Sequence, residues 1–558
     1  MKLAEIFADH MTLQCEKPVR IWGIEEQEEE ISVCLNGKEI VRQKIEQGEF
    51  SFDLPPQKAQ ESVELEIGGM CFQDVDFGEV WIAAGQSNME FLLRYDEDHR
   101  NGEPVKSDPH LRFYDVGEYA FPGEKEDGFK DGRYWDRWMS VDSNALDDVE
   151  HFSAIGYYFM KDLREALGKP VAIVGCNWGG TTASTWIPKS DLTGRLSIYE
   201  EEYEQQRPDL ANQEEYLYYD RLIRKNSQNS LARAYQDALM LGGEAYHGFV
   251  SSLLKERRSK KNELTAPSTD MDDEAMLSWT RDLSKDEQKK VRMYMNGKGC
   301  HSDKRPGGLY ETMVCKIKGF SVRGVIWYQG ESDDIHPDLY EELFTALISR
   351  WRGDFGEGLP FIFAQLAPFD HWLACSGEQY PKLRREQENT ALHVKGVYMI
   401  PTSDIGNKND IHPKKKKPVA QRMALKARHY IYGEAVPCEY PKASLATWER
   451  KENGDGFIRI DFEGCHKLIM TERKEQTQEL FQVTKDGELC DIELVGIKGN
   501  SLYLRCQEPI ENTGIEKGKK KDTTSSKIKI SYAQKPYYQV RLYNEIGIPA
   551  VPFELFLS

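Results

Sequence analysis

The sequence predicts an α/β protein in which a mainly parallel sheet carries a helical insertion and is flanked by β-rich regions. Three observations lead there. Near-continuous apolar runs (VWIAAG, VAIVGCNWGG, VRGVIWYQG, PFIFAQLAP and VKGVYMIPTSD) begin at Val80 and end in Gly, Asp, Ser or Gln. Helical patterns such as AIGYYFMKDLREAL and LYEELFTALISRW lie between them. Short strand-like segments bounded by turn residues occupy both ends of the chain. Strands buried on both faces and alternating with helices indicate a parallel sheet, and ligands then sit outside the carboxyl ends of the strands.

Taken in order, residues 1–76 read as a small β-sandwich-like domain: VRIWGI, ISVCLNGKEI, FSFDLP and VELEIGG are rich in β-branched and aromatic residues. Asn36-Gly37 is a hairpin turn, because a type I′ turn needs positive φ at both central positions. Residues 77–435 form the α/β domain, interrupted at 190–305 by a stretch dense in Glu, Lys, Arg and Tyr. That stretch reads as a charged helical insertion, a lid or an interaction surface. Residues 436–558 return to strands (FIRIDF, LFQVT, SLYLRC, SKIKISYAQ, YQVRLY) around the charged loop EKGKKKDTTSSK.

Composition removes several function classes. The 558 residues are 39% apolar and 30% charged, as in a globular protein. With 73 Lys and Arg against 93 Asp and Glu, the net charge of −20 repels phosphate backbones, so no nucleic-acid partner is expected. No run of 18 apolar residues exists to cross a membrane. The opening MKLAEIFADHMTLQ lacks the apolar core of a secretory signal, which places the expected site of action in the cytoplasm unless a leader was trimmed. Eleven dispersed cysteines without a CxxC fit reduced thiols, and neither metal nor organic cofactor is expected.

Four strand ends carry chemistry. Gly85-Gln86-Ser87-Asn88-Met89 follows VWIAA and sets Ser87 at a strand-to-helix turn, either as an exposed nucleophile or as a helix cap. Asp410-Ile411-His412-Pro413 offers a base, His412, with Asp410 two residues away to orient it. Trp327-Tyr328-Gln329-Gly330-Glu331 brings a side-chain N–H donor for an oxyanion in Gln329, and a second acceptor for His412 in Glu331. Asn177-Trp178-Gly179-Gly180 permits close backbone approach, making the Gly180 N–H an oxyanion donor, and Trp186 offers an aromatic face to a sugar ring or to the core.

In this order the segments resemble the sialate O-acetylesterase family of the SGNH-hydrolase superfamily. The resemblance rests on GEVWIAAGQSNME (78–90), FSAIGYYFMKDL (152–163), NWGGTTASTW (177–186), RGVIWYQGESD (323–333) and DIHP (410–413). Smaller echoes are RPGGLYETMV, LISRWRGDFG, FAQLAP, LRREQ and VRLYNEIGIPAVPF. It implies a flavodoxin-like three-layer α/β/α catalytic domain and a carbohydrate esterase that removes O-acetyl groups from sialic acids. Ser87 would be the nucleophile and His412 the base, with Ser87, Gly180 and Gln329 forming the oxyanion hole. Relatives in the superfamily place an Asp three residues before the His, where this chain has Asn409, so Asp410 or Glu331 fills the third role. Asn88, Trp186 and Arg384 (the Arg in LRREQ) would contact substrate, and Lys414–Lys417 reads as a solvated helix face. Acetylated xylan or another polysaccharide is the alternative substrate. A catalytically decayed sugar-binding protein is the alternative of another class.

Overall fold

The computed structural model describes residues 1–123, 135–206, 214–215, 218–219, 221–223, 230–242, 248, 280, 283–296, 302–373, 375–450, 456–506 and 527–558. They divide into two compact units, Met1–Val325 with Glu342–Leu359, and Ile326–Glu341 with Pro360–Ser558.

The first unit begins with antiparallel strands. Val19–Glu25 pairs with Gly48–Leu54, and Glu29–Leu35 pairs with Lys38–Ile45 and with Gln60–Ile67. Asn36 (φ 50°) and Gly37 (φ 74°) take the two left-handed turn positions between Glu29–Leu35 and Lys38–Ile45. The long strand Met70–Gly85 then serves two sheets. Its first part pairs antiparallel with Gln60–Ile67, and its second runs parallel to Val171–Asn177, with Glu79 opposite Val171 and Gly85 opposite Asn177. The join expected at 76–77 therefore lies within one unbroken strand.

Val171–Asn177 also pairs in parallel with Asp108–Asp115, which Trp138–Val141 edges in antiparallel fashion. Val80–Ala84 and Val171–Val174 are fully buried, which is why these strands read as apolar runs without alternation. The helix Ala154–Leu167 packs on Val171–Asn177, with Phe159 edge-on to Trp81 at 5.1 Å. Ser153 caps it by accepting the Gly156 N–H, and Gly168 (φ 62°) ends it in the left-handed conformation.

In the second unit Phe361–Ala364 runs parallel to Val397–Ile400. The helix Tyr380–His393 packs on Val397–Ile400, and Lys417–Tyr430 packs on both strands. The C-terminal region forms two antiparallel sheets. One orders Lys442–Arg450, Gly456–Glu463, Ser501–Cys506 and Ile492–Lys498; the other orders Glu488–Leu489, Phe481–Lys485, Ile528–Tyr532 and Phe553–Phe556. Ile458, Ile460, Leu502 and Leu504 from the first share a core with Val483, Ile530 and Tyr532 from the second.

The fold class is α/β, as the alternation of apolar runs and helices predicts. Much of 190–305 and the loop EKGKKKDTTSSK lie outside the described residues; the described pieces of the former include helices Ile198–Gln206, Ser230–Leu241 and Lys285–Asn296. Among the described residues ten cysteines are free thiols, and no helix is long and apolar enough to cross a membrane.

Candidate active site

Ser87, Asn88 and the Gly179-Gly180 turn lie in the first unit. The chain leaves the sheet at Gly85 (φ 133°), and Ser87–Glu90 follows as a four-residue helix with Gln86 at its N-cap position. Ser87 is thus the first residue inside that helix and not its cap. It is half-buried, while Asn88 is buried beside it. The parallel neighbour Val171–Asn177 ends level with Gly85, so the two strands release their chains side by side.

The turn after Asn177 is tied down at nearly every residue. Asn177 Nδ2 donates to the Ala83 carbonyl (3.1 Å), and the Trp178 N–H donates to the Gly85 carbonyl (3.1 Å). The Gly179 N–H donates to Glu90 Oε2 (2.7 Å), and Thr181 Oγ1 donates to the Trp178 carbonyl (2.8 Å). A Cβ on Gly179 would lie 3.1 Å from Ser87 Cβ, so the turn rests directly on the serine. Gly180 is exposed at φ 72°.

Trp186 does not present a sugar face. It is completely buried, its indole N–H donates to Thr181 Oγ1 (3.1 Å), and its carbonyl accepts from Trp351 Nε1 (3.0 Å). It is core that braces the turn, because a ring with no accessible surface cannot stack on a ligand.

Gln329, Glu331, Asp410 and His412 lie in the second unit. The Gln329 amide is oriented from two sides: its Nε2 donates to Asp333 Oδ2, and its Oε1 accepts from the Tyr340 hydroxyl (3.1 Å). A carboxylate on the nitrogen and a hydroxyl on the oxygen leave only one sensible assignment of the amide. The Gln329 carbonyl accepts from Gln387 Nε2 (3.2 Å), and Glu331 is buried in the 3₁₀ turn that follows.

His412 is buried, and the ring of Trp372 meets it edge-on at 5.1 Å. Its Nδ1 lies 3.9 Å from Asp410 Oδ1, beyond hydrogen-bond distance. Asp410 instead accepts the main-chain N–H of His412 (2.9 Å) and pairs with Lys414 (2.9 Å). Burial, then Lys416 and Lys414, push the His412 pKa well below its ordinary value, so the ring is a neutral base at neutral pH. Lys416 is fully buried with its Nζ 5.6 Å from the Tyr328 ring centroid, and Lys414 is mostly buried. Lys415 is exposed, so the run Lys414–Lys417 is only in part the solvated face its composition predicts.

Arg384 does not await a substrate carboxylate. Its guanidinium is buried and donates to the main-chain carbonyls of Leu366 (3.1 Å), Lys535 (2.9 Å), Pro536 (2.6 Å) and Ala367 (3.5 Å). Among the described residues the one cluster with metal-like spacing is Cys15, Glu16 and Glu79. Both Glu79 carboxylate oxygens already hold Arg323 (2.6 and 3.0 Å), so a cation there would have to displace a guanidinium.

Sequence reasoning gave no site role to Glu90 or Tyr340 and read Asp333 only as a helix cap, although Glu90 and Asp333 close the segments 78–90 and 323–333. Their signal was present: each lies within a few residues of a motif or at the head of the next helix.

Comparison with known proteins gives the class first. Residues 284–428 match the family model described as carbohydrate esterase, sialic acid-specific acetylesterase; the match spans Gln329, Glu331, Asp410 and His412. A carbohydrate acetylesterase from Xanthomonas citri shares the fold, with a TM-score of 0.65 and 22% identity over 99% of each chain. Over residues 284–428 the chain is thus similar to the carbohydrate esterases. It is also similar to the sialate O-acetylesterases. It is 24% identical to the sialate O-acetylesterase of Mus musculus, over 78% of this chain and 74% of that protein. It is 23% identical to that of Homo sapiens, over 78% of this chain and 71% of that one.

Proposed function

We propose that the protein is a serine ester hydrolase that removes O-acetyl groups from sialic acids and releases acetate. The relationship to the sialate O-acetylesterases supports the reaction, and the seat of Ser87 beneath the Gly179-Gly180 turn supports the nucleophile. The catalytic fold is read as the flavodoxin-like three-layer α/β/α arrangement.

The reaction runs in two steps. His412 Nε2 takes the Ser87 proton as Oγ attacks the acetyl carbonyl, and the N–H groups of Ser87 and Gly180 with the Gln329 amide hold the oxyanion. The sugar hydroxyl leaves with the proton from His412. Water then repeats the sequence on the acetyl-serine, giving acetate and free Ser87. His412 suits this role because its depressed pKa keeps it deprotonated at neutral pH.

Acetyl xylan or another neutral acetylated polysaccharide is the second reading, favoured by one observation: the guanidinium of Arg384 is spent on main-chain carbonyls. Acetate release from O-acetylated sialic acid and from acetylated xylan, measured side by side for the native protein and Ser87→Ala, tests both. Release from the sialic acid alone, abolished in Ser87→Ala, is the expected result. Release from xylan alone replaces the substrate, and activity surviving in Ser87→Ala overturns the mechanism. Absence of any ester cleavage, aryl acetates included, would favour a sugar-binding protein.

A further inference from the structure

Glu90 sits one helical turn beyond Ser87, and its carboxylate accepts the Gly179 N–H at 2.7 Å. We propose that Glu90 is a positioning residue of the esterase site, holding the Gly179-Gly180 turn so that the Gly180 N–H, and not that of Gly179, faces the oxyanion. This rests on Ser87 and Gly180 acting as proposed above.

The turn's hydrogen bonds carry the argument. The N–H of Trp178 goes to the Gly85 carbonyl, and that of Gly179 goes to Glu90. Thr181 ties its hydroxyl back to the Trp178 carbonyl while receiving the indole of Trp186. Gly180 is the exposed peak between these anchors. Among the described residues nothing lies within 4 Å of where a Cβ on Gly180 would stand, so a ligand atom has room there. Its φ of 72° disfavours other residues on backbone grounds alone.

Gly179 is restricted for a different reason. A Cβ there would come to 3.0 Å from Glu90 Oε2 and 3.1 Å from Ser87 Cβ, so the glycine lets the turn lie flat on the serine helix. One four-residue helix thus carries both the nucleophile and the acceptor that fixes the loop opposite it. A shift in either moves the other, which keeps the distance from Oγ to the oxyanion donor constant.

What the site needs from Glu90 is an acceptor atom rather than a charge. A carboxylate one residue from a developing oxyanion opposes it electrostatically, so the contribution of Glu90 is geometric. A glutamine keeps an acceptor oxygen at the same reach and should substitute well. An alanine frees the Gly179 N–H and lets the turn relax.

The test is aryl acetate hydrolysis by the full chain as native protein, Glu90→Ala, Glu90→Gln and Ser87→Ala, with phenylboronic acid inhibition measured alongside. Loss of an oxyanion donor costs about 10²–10³ in turnover. Glu90→Ala is therefore expected to lose about 30-fold or more in kcat with KM changed less than about threefold, and to bind phenylboronic acid correspondingly more weakly. Glu90→Gln should keep kcat within about fivefold of native. If Glu90→Ala does not fold, Glu90→Met keeps the volume without an oxygen acceptor and replaces it. The proposal is overturned if the acceptor-free variant keeps native kcat, if its loss falls on KM alone, or if Glu90→Gln is as impaired as Glu90→Ala. Ser87→Ala separates the two levels: an active Ser87→Ala removes the nucleophile itself, whereas an inactive one beside a fully active Glu90→Ala removes only the role of Glu90.

Discussion

Replacing Asp410 by asparagine asks how far a carboxylate can assist an imidazole ring that lies beyond hydrogen-bond distance of it. The Asp410 Oδ1 lies 3.9 Å from His412 Nδ1, while the same side chain accepts the His412 main-chain N–H at 2.9 Å and pairs with Lys414 at 2.9 Å. At an effective dielectric of about 20, a bare carboxylate at that range would stabilise the imidazolium by about 4 kcal/mol, or about 10³ in rate. Lys414 offsets much of that, since its positive charge sits on the other carboxylate oxygen and opposes an imidazolium. The side-chain amide introduced by Asp410→Asn would still accept the His412 N–H and hold the turn. Asp410→Asn should therefore lose about 10- to 100-fold in kcat, with KM within about threefold. The assay is steady-state and pre-steady-state hydrolysis of an aryl acetate near pH 8, with thermal melting to confirm the fold. Removing the acid of a fully hydrogen-bonded triad costs about 10⁴. A loss of that size would refute the reasoning and make Asp410 a direct partner of the ring.

Four other outcomes are expected. Tyr340→Phe removes the hydroxyl that holds Gln329 Oε1 and should lower kcat about tenfold while leaving KM near native, measured on the same ester. The acid limb of kcat/KM should fall below the ordinary histidine value of about 6.5, because His412 is held down by burial, Lys416 and Lys414. Lys416→Met should move that limb upward, and a limb that stays put would separate Lys416 from the histidine. The same depressed pKa contributes stability that is present above the unfolded value of about 6.5 and is lost as pH falls from there toward the folded value, so the acidic slope of the melting temperature should flatten in His412→Gln. Arg384→Ala removes the donor to four main-chain carbonyls, of which that of Pro536 keeps the Phe369 N–H (3.0 Å), and should destabilise the protein by about 3 kcal/mol in denaturant titration; Arg384→Lys should recover little of it.

The α/β class was legible because the central strands are buried on both faces, and that leaves a mark sequence alone carries: VWIAA and VAIVGC have no polar alternation. The strand ends were legible for the same reason, since Ser87, Gly180 and Gln329 each interrupt an apolar run at its carboxyl end. The strand Met70–Gly85 crosses the join expected at 76–77 without a break, pairing antiparallel with Gln60–Ile67 as far as Phe77 and in parallel with Val171–Asn177 from Glu79.

The substrate-contact residues show where local reading fails. Arg384 lies in a polar helix pattern, LRREQ, and an arginine there reads equally as a ligand for an anion or as a tie for loops that arrive from far along the chain. Two of its four carbonyl partners, Lys535 and Pro536, come from about 150 residues later, so nothing within a helical window could announce them. Lys416 is hidden in the same way. Four consecutive lysines look solvated, yet the third is the N-cap residue of Lys417–Tyr430 and points over the Tyr328 ring. Trp186 fails for a complementary reason: its indole N–H finds Thr181 five residues away, a local bond that satisfies the one polar group which would otherwise resist full burial. Arg384 and Trp186 were singled out in the sequence, whereas Lys416 was read as part of a solvated face. What decided between ligand contact and scaffold was whether the side chain's polar atoms were already spent, and that depends on partners the sequence does not place beside it.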